Sequence, residues 1–108
     1  MIALALALLA QVPVPSPAPV QNQPAKEIFA KRCALCHGAD GRGQTKKGRQ
    51  YKAPDFTTEK WQRTTTDEEI ADAITNGVPK TKMAAFREKL SQDQIRALIP
   101  YLRAFGKK

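Results

Sequence analysis

Two thiols three positions apart, followed at once by an imidazole, make up the segment Cys33-Ala34-Leu35-Cys36-His37. On a helical turn each sulfur can add to one of the two vinyl groups of a porphyrin. His37 is then held beneath the iron, with Nε2 available as an axial ligand. Other chemistry suits the segment less well. A structural zinc site wants four ligands, commonly as two separated pairs, and no second pair of cysteines follows. A thioredoxin-like redox pair belongs after a strand in a βαβ unit, and no such pattern is present. The spacing predicts one covalently held haem c, attached through Cys33 and Cys36.

An iron that moves electrons without binding small molecules needs a sixth ligand. The chain contains one His and two Met. Met1 is the initiator and lies in an apolar leader, so Met83 is the one thioether left. An isolated Met is ordinarily core filler, but elimination points here to an axial ligand. Met83 stands 46 residues beyond His37, in a basic, non-periodic stretch, Val78–Ala85. Met/His ligation raises the reduction potential relative to other ligand sets.

The elements that must position these residues begin after a sharp change in composition. All 18 Lys and Arg and all 10 Asp and Glu lie beyond position 25, and five of the eight prolines fall between positions 13 and 24. Residues 1–10, MIALALALLA, are too few to cross a bilayer, which takes about 20, and match the apolar core of an export signal. The basic residues that usually open such a signal are absent. Residues 11–24 read as a proline-rich linker, leaving a domain at 25–108. A domain of this size is marginal on its own core, so a buried cofactor would help it fold.

Within the domain the chain reads as helices and loops. A first helix is expected over Pro24–Leu35, with Ile28, Phe29, Arg32 (by its stem), Cys33 and Cys36 at helical spacing. A long loop, about 38–56, carries four glycines and Pro54, and a loop of that length makes sense if it wraps a cofactor. Thr66-Asp67-Glu68-Glu69 is a capping box opening a helix that ends at Gly77. Ser91 and Gln94 form a second, ahead of the stripe Ile95, Leu98, Ile99, Leu102 and Phe105, with Gly106 as the end. Pro100 falls inside that last helix and should cost one backbone hydrogen bond and kink the axis.

On these residues the chain resembles a class I c-type cytochrome over nearly all of 24–106. Ile28 through Gly38 is similar to the family's first helix and attachment site, with Phe29 at an aromatic position that packs in the core. Gly41-x-Gly43 resembles the loop that follows. Pro54-Asp55-Phe56 resembles a turn whose proline carbonyl accepts a hydrogen bond from the proximal His, which would fix the His37 tautomer. Lys82-Met83-Ala84-Ala85-Phe86 resembles the Met-ligand loop, while Leu98 and Tyr101 match the last helix, which crosses the first. Trp61 has two readings: a propionate contact through its N–H, as in some relatives, or core packing. Two positions depart from the pattern. Ala84 stands where proline usually follows the ligand Met, which predicts a more mobile loop, and Ala25 replaces a glycine where the terminal helices touch.

The resemblance implies an all-α fold of three to four helices wrapped around one haem, and a one-electron carrier rather than an enzyme. The formal net charge of +8 fits acidic redox-protein partners better than nucleic acid, for which no binding module is visible. Lys46, Lys47, Arg49 and Lys52 on one loop, with Lys80, Lys82, Arg87 and Lys89 around Met83, are the candidate docking charges. The protein would be exported, to a periplasmic or other extracytoplasmic location. Membrane contact would arise only through a partner or an uncleaved start. Two alternatives are a haem-bearing subunit tethered to a larger redox complex, and a sensor or peroxidase-like protein with displaceable Met83.

Overall fold

Side-chain caps start most of the helices and one apolar cluster gathers them. The computed structural model describes residues 24–107, so the expected signal peptide and nearly all of the expected linker lie outside the described residues. The helices are α1 (Ala25–Arg32), α2 (Ala34–His37), α3 (Lys46–Tyr51), α4 (Glu59–Thr64), α5 (Asp67–Asn76) and α6 (Gln92–Ala104), and a 3-10 turn, Phe105–Lys107, closes the domain. No strand occurs among the described residues, in keeping with the all-α expectation.

Among the described residues there are six α-helices, where the resemblance implies three to four. The predicted first helix is divided at Cys33, whose φ of −119° departs from the usual helical value. The predicted loop 38–56 contains α3, and α4 follows it without having been foreseen. Neither α3 nor α4 is longer than six residues, too short to develop an apolar stripe. Each exists because a threonine caps it: Thr45 Oγ1 accepts from Gly48 N–H at 2.8 Å, and Thr58 Oγ1 accepts from Trp61 N–H at 3.2 Å.

The two longest helices form as their sequences indicate. In α5 Thr66 Oγ1 accepts from Glu69 N–H while Glu69 Oε1 accepts from Thr66 N–H, and in α6 Ser91 and Gln94 do the same. Pro100 lies on the exposed side of α6, which runs on to Ala104; the carbonyl left without its N–H partner can turn to water there. Arg32 is exposed and does not join the apolar face assigned to it.

Ile28 and Phe29 from α1, Ile70 and Ile74 from α5, and Ile95, Leu98, Ile99 and Leu102 from α6 form the core with Phe56, Leu90 and Phe105. Each such large side chain contributes about 1.5–3 kcal/mol by leaving water. α1 and α5 both pack on α6, and Ala25 sits against the core at the start of α1. Its methyl group is accommodated at the position where the resemblance implies glycine. Phe29 is 1% exposed and is flanked by Tyr101 and Phe105 at ring-centroid distances of 5.2 and 5.3 Å. The core thus ties the segment just before Cys33 to the end of the chain.

Candidate haem site

Three of the residues expected to hold the haem, Cys33, Cys36 and His37, share one short turn. Cys33 carbonyl accepts from Cys36 N–H at 3.3 Å and from His37 N–H at 3.0 Å, which draws both thiols and the imidazole together. Gly38, at φ +82°, then turns the chain sharply. Both cysteines are free thiols, and burial pushes the Cys33 thiol up to about 11, against a smaller opposing pull from Arg32.

The turn is braced from behind by α3. Thr45 Oγ1 donates to the Cys36 carbonyl at 2.8 Å while also capping α3, and Gly43 N–H donates to the His37 carbonyl at 2.7 Å. Gly48 permits this approach, since a Cβ there would lie 2.2 Å from the Cys36 carbonyl oxygen and 2.4 Å from that of Gly43. Thr45 and Gly48 were not singled out from the sequence. A threonine three residues before a glycine in a basic stretch is a faint capping signal, and nothing in it indicates which carbonyl the threonine will reach.

His37 stacks on Phe56 with centroids 4.5 Å apart and planes 22° apart. Burial lowers the His37 pKa, and the nearby Pro54 carbonyl works in the opposite direction without overcoming it. A neutral imidazole is the form that can ligate a metal. Nδ1 is buried and completes no hydrogen bond of good geometry, although Pro54 is the backbone group nearest in effect. Trp61 follows Phe56 at 4.6 Å. Its ring packs against the core, and its indole N–H forms no hydrogen bond with the described residues, so both readings of Trp61 stay compatible with its position.

Behind Trp61 lies a polar brace that the sequence did not reveal. Arg103, on α6, stands over the Trp61 ring at 5.9 Å. It donates to the carbonyls of Gln62 and Thr65 at 2.9 and 2.7 Å and to Asp67 Oδ1 at 2.8 Å. Gln62 Nε2 in turn donates to the carbonyls of Phe56 and Leu102 at 2.7 and 3.0 Å. Together they fasten α4, and with it Trp61 and Phe56, to the last helix. A charged residue in the final turn reads from sequence as a helix-dipole partner, which conceals this role.

Met83 lies between α5 and α6, half-buried against the core cluster. No hydrogen bond or ring contact joins it to His37 directly, and the two reach the core from separate elements. The Met83 segment, which Ala84 leads one to expect to be mobile, carries backbone hydrogen bonds at both ends. Val78 N–H donates to the Met83 carbonyl at 3.2 Å, and at the C-terminal end Phe86 N–H donates to the Ile74 carbonyl at 2.9 Å and Arg87 N–H to that of Thr75 at 3.2 Å. Pro79 and Lys80 form a turn closed by Thr81 N–H on the Val78 carbonyl at 3.1 Å, with Lys80 at φ +67°. The rigid proline of this segment thus precedes Met83 instead of following it.

These features fit a haem: two free thiols and an imidazole on one turn, an orphaned buried Nδ1, an aromatic wall beside the imidazole, and a thioether on a hydrogen-bonded loop. The comparisons agree. Residues 20–102 match the family described as cytochrome c oxidase, cbb3-type, subunit III. The chain is 30% identical over 80 residues to the Cbb3-type cytochrome c oxidase subunit FixP of Bradyrhizobium sp. (strain ORS 278), covering 74% of this chain and 26% of FixP. It therefore spans about a quarter of the length of that curated relative. Among solved structures, the KustC0563 c-type cytochrome superposes with a TM-score of 0.72 at 35% identity, covering 77% of this chain and 98% of that one. The c-type cytochrome NirC, at 24% identity, shares the fold with a TM-score of 0.60 over 74% of this chain and 85% of its own. The chain belongs to the family of c-type cytochrome domains that is described as subunit III of cbb3-type cytochrome c oxidase.

Proposed function

We propose that this domain is a monohaem one-electron carrier working between redox proteins outside the cytoplasm, and not an enzyme. The observation that carries the reading is the Cys33–His37 turn, which holds two free cysteines and a half-buried imidazole within five residues. When bound, haem supplies an iron couple that takes up and gives back one electron. Cys33 and Cys36 would tether the porphyrin, His37 and Met83 would ligate the iron, and the Pro54 carbonyl would accept from His37 Nδ1. Phe56, stacked on the imidazole, would limit its rotation, and Trp61 would offer its N–H to a propionate. Covalent attachment of this kind is made outside the cytoplasm, which agrees with the apolar leader at residues 1–10.

Docking is assigned to the basic surface. Lys47 Nζ and Lys82 Nζ both stand over the Tyr51 ring, at 5.8 and 6.0 Å, so the charges of α3 adjoin those of the Met83 loop. Leu35 and Val78, the two large apolar residues exposed among the described residues, lie on the same two segments as Cys36 and Met83. A partner presenting acidic residues around a small apolar patch would be steered to this surface. The relation to FixP favours a second reading, in which the domain is the haem-bearing part of a larger redox complex.

The ferric spectrum of the purified protein tests the ligand set. Met83 ligation requires a sulfur-to-iron charge-transfer band that disappears in Met83→Ala. A high-spin spectrum in the unmutated protein would refute the carrier and favour a sensor or peroxidase-like role.

A further inference from the structure

We infer that the Thr81 hydroxyl is a positioning group that holds Met83 in place for the iron, compensating for the absent proline after it. The inference rests on Met83 being an axial ligand. Thr81 Oγ1 donates to the Val78 carbonyl at 2.8 Å and accepts from the Met83 N–H at 3.1 Å. One hydroxyl therefore links the start of the loop to the ligand residue itself. The Met83 carbonyl is bound in turn by Val78 N–H at 3.2 Å, so both backbone groups of Met83 have partners within the loop. Gly77 closes the arrangement from below. A Cβ there would lie 2.7 Å from the Met83 oxygen and 3.0 Å from the Ala85 nitrogen, and its φ is +75°.

A proline after the ligand would restrict the loop by fixing its own φ. Here the restriction comes from two hydrogen bonds to one side chain and from the Pro79–Lys80 turn. The hydrogen bonds are exposed, so water competes for both groups when the hydroxyl is removed and the effect on overall folding is small. The effect on the ligand is larger, because the sulfur stays on iron only while the loop holds its closed form.

The test uses the ferric haem-loaded protein and its Thr81→Val and Thr81→Ser variants. Valine keeps the shape and β-branching and removes the hydroxyl; serine restores the hydroxyl. Added imidazole, competing with Met83 for the iron, reports how firmly the loop is closed. Thr81→Val should bind imidazole about five-fold more tightly, roughly 1 kcal/mol at about 1.4 kcal/mol per tenfold. Its charge-transfer band should vanish on heating well before the helices melt by far-ultraviolet circular dichroism. Thr81→Ser should return both properties to those of the unmutated protein. Equal imidazole affinity in Thr81→Val and the unmutated protein, with the band present in both, overturns the role of Thr81 alone. Absence of the band in the unmutated protein overturns Met83 ligation, and this inference with it.

Discussion

Replacing Gly48 by alanine adds one methyl group to a short surface helix, yet it should be among the more damaging single changes in the domain. The added Cβ would sit 2.2 Å from the Cys36 carbonyl oxygen and 2.4 Å from the Gly43 carbonyl oxygen, where ordinary contacts begin at 3.4 Å. Relief takes a displacement of about 1.2 Å, and both obstacles are backbone atoms with no rotamer to yield. Moving α3 outward by that distance breaks the 2.8 Å bond from Thr45 Oγ1 to the Cys36 carbonyl. Overpacking of this kind costs about 1–3 kcal/mol, and the lost hydrogen bond about 1 more. Alanine returns up to about 1 kcal/mol through its better helix propensity, which leaves a net destabilisation near 3 kcal/mol at the severe end of the range. For a domain of this size about 3 kcal/mol lowers the melting temperature by roughly 12–24 °C. Thermal melts of the haem-loaded protein, followed by the Soret band and by far-ultraviolet circular dichroism, measure it. Gln50→Ala, an exposed change on the same helix, serves as the control. A Gly48→Ala protein that melts at the temperature of the unmutated one would refute the close approach of α3 to the haem turn.

Arg103→Met should lower stability by about 2 kcal/mol in urea titrations, because it strips donors from two carbonyls and from Asp67; the ion pair itself adds little, since Asp67 is 59% exposed. Arg103→Lys should recover less than half of the loss, as an ammonium cannot span these acceptors, and full recovery would contradict the fork. Reduction of the ferric protein by an acidic redox donor should slow steeply between low and physiological salt, and a flat response would exclude steering by the lysines beside Tyr51.

How much of this was legible in the sequence depends on the range of the forces involved. The two capping boxes and the apolar stripe of α6 are local patterns, and Thr66, Ser91, Ile95 and Leu98 do what their spacing indicates. The Cys33–His37 segment is equally local, because its chemistry is written in five consecutive residues. The helices α3 and α4 were hidden: with at most six residues each they show no periodicity, and they form where Thr45 and Thr58 cap them. Long-range braces were hidden as well. Arg103 reaches Gln62 and Asp67 across about forty residues of sequence, and no feature of the final turn marks its partners. In the Met83 loop Ala84 is the cue legible in the sequence, whereas the turn at Pro79 and the hydrogen bonds of Thr81 show only once the backbone path is known.

Covalent attachment through Cys33 and Cys36 is the claim on which the rest depends. The most direct measurement is the intact mass of the protein from its native host or from a host that matures c-type cytochromes, taken under denaturing conditions. The result predicted is the mass of the mature polypeptide plus one haem, with the added mass lost when both cysteines are replaced by alanine. A polypeptide that releases its haem on denaturation, or that carries none, would contradict the account.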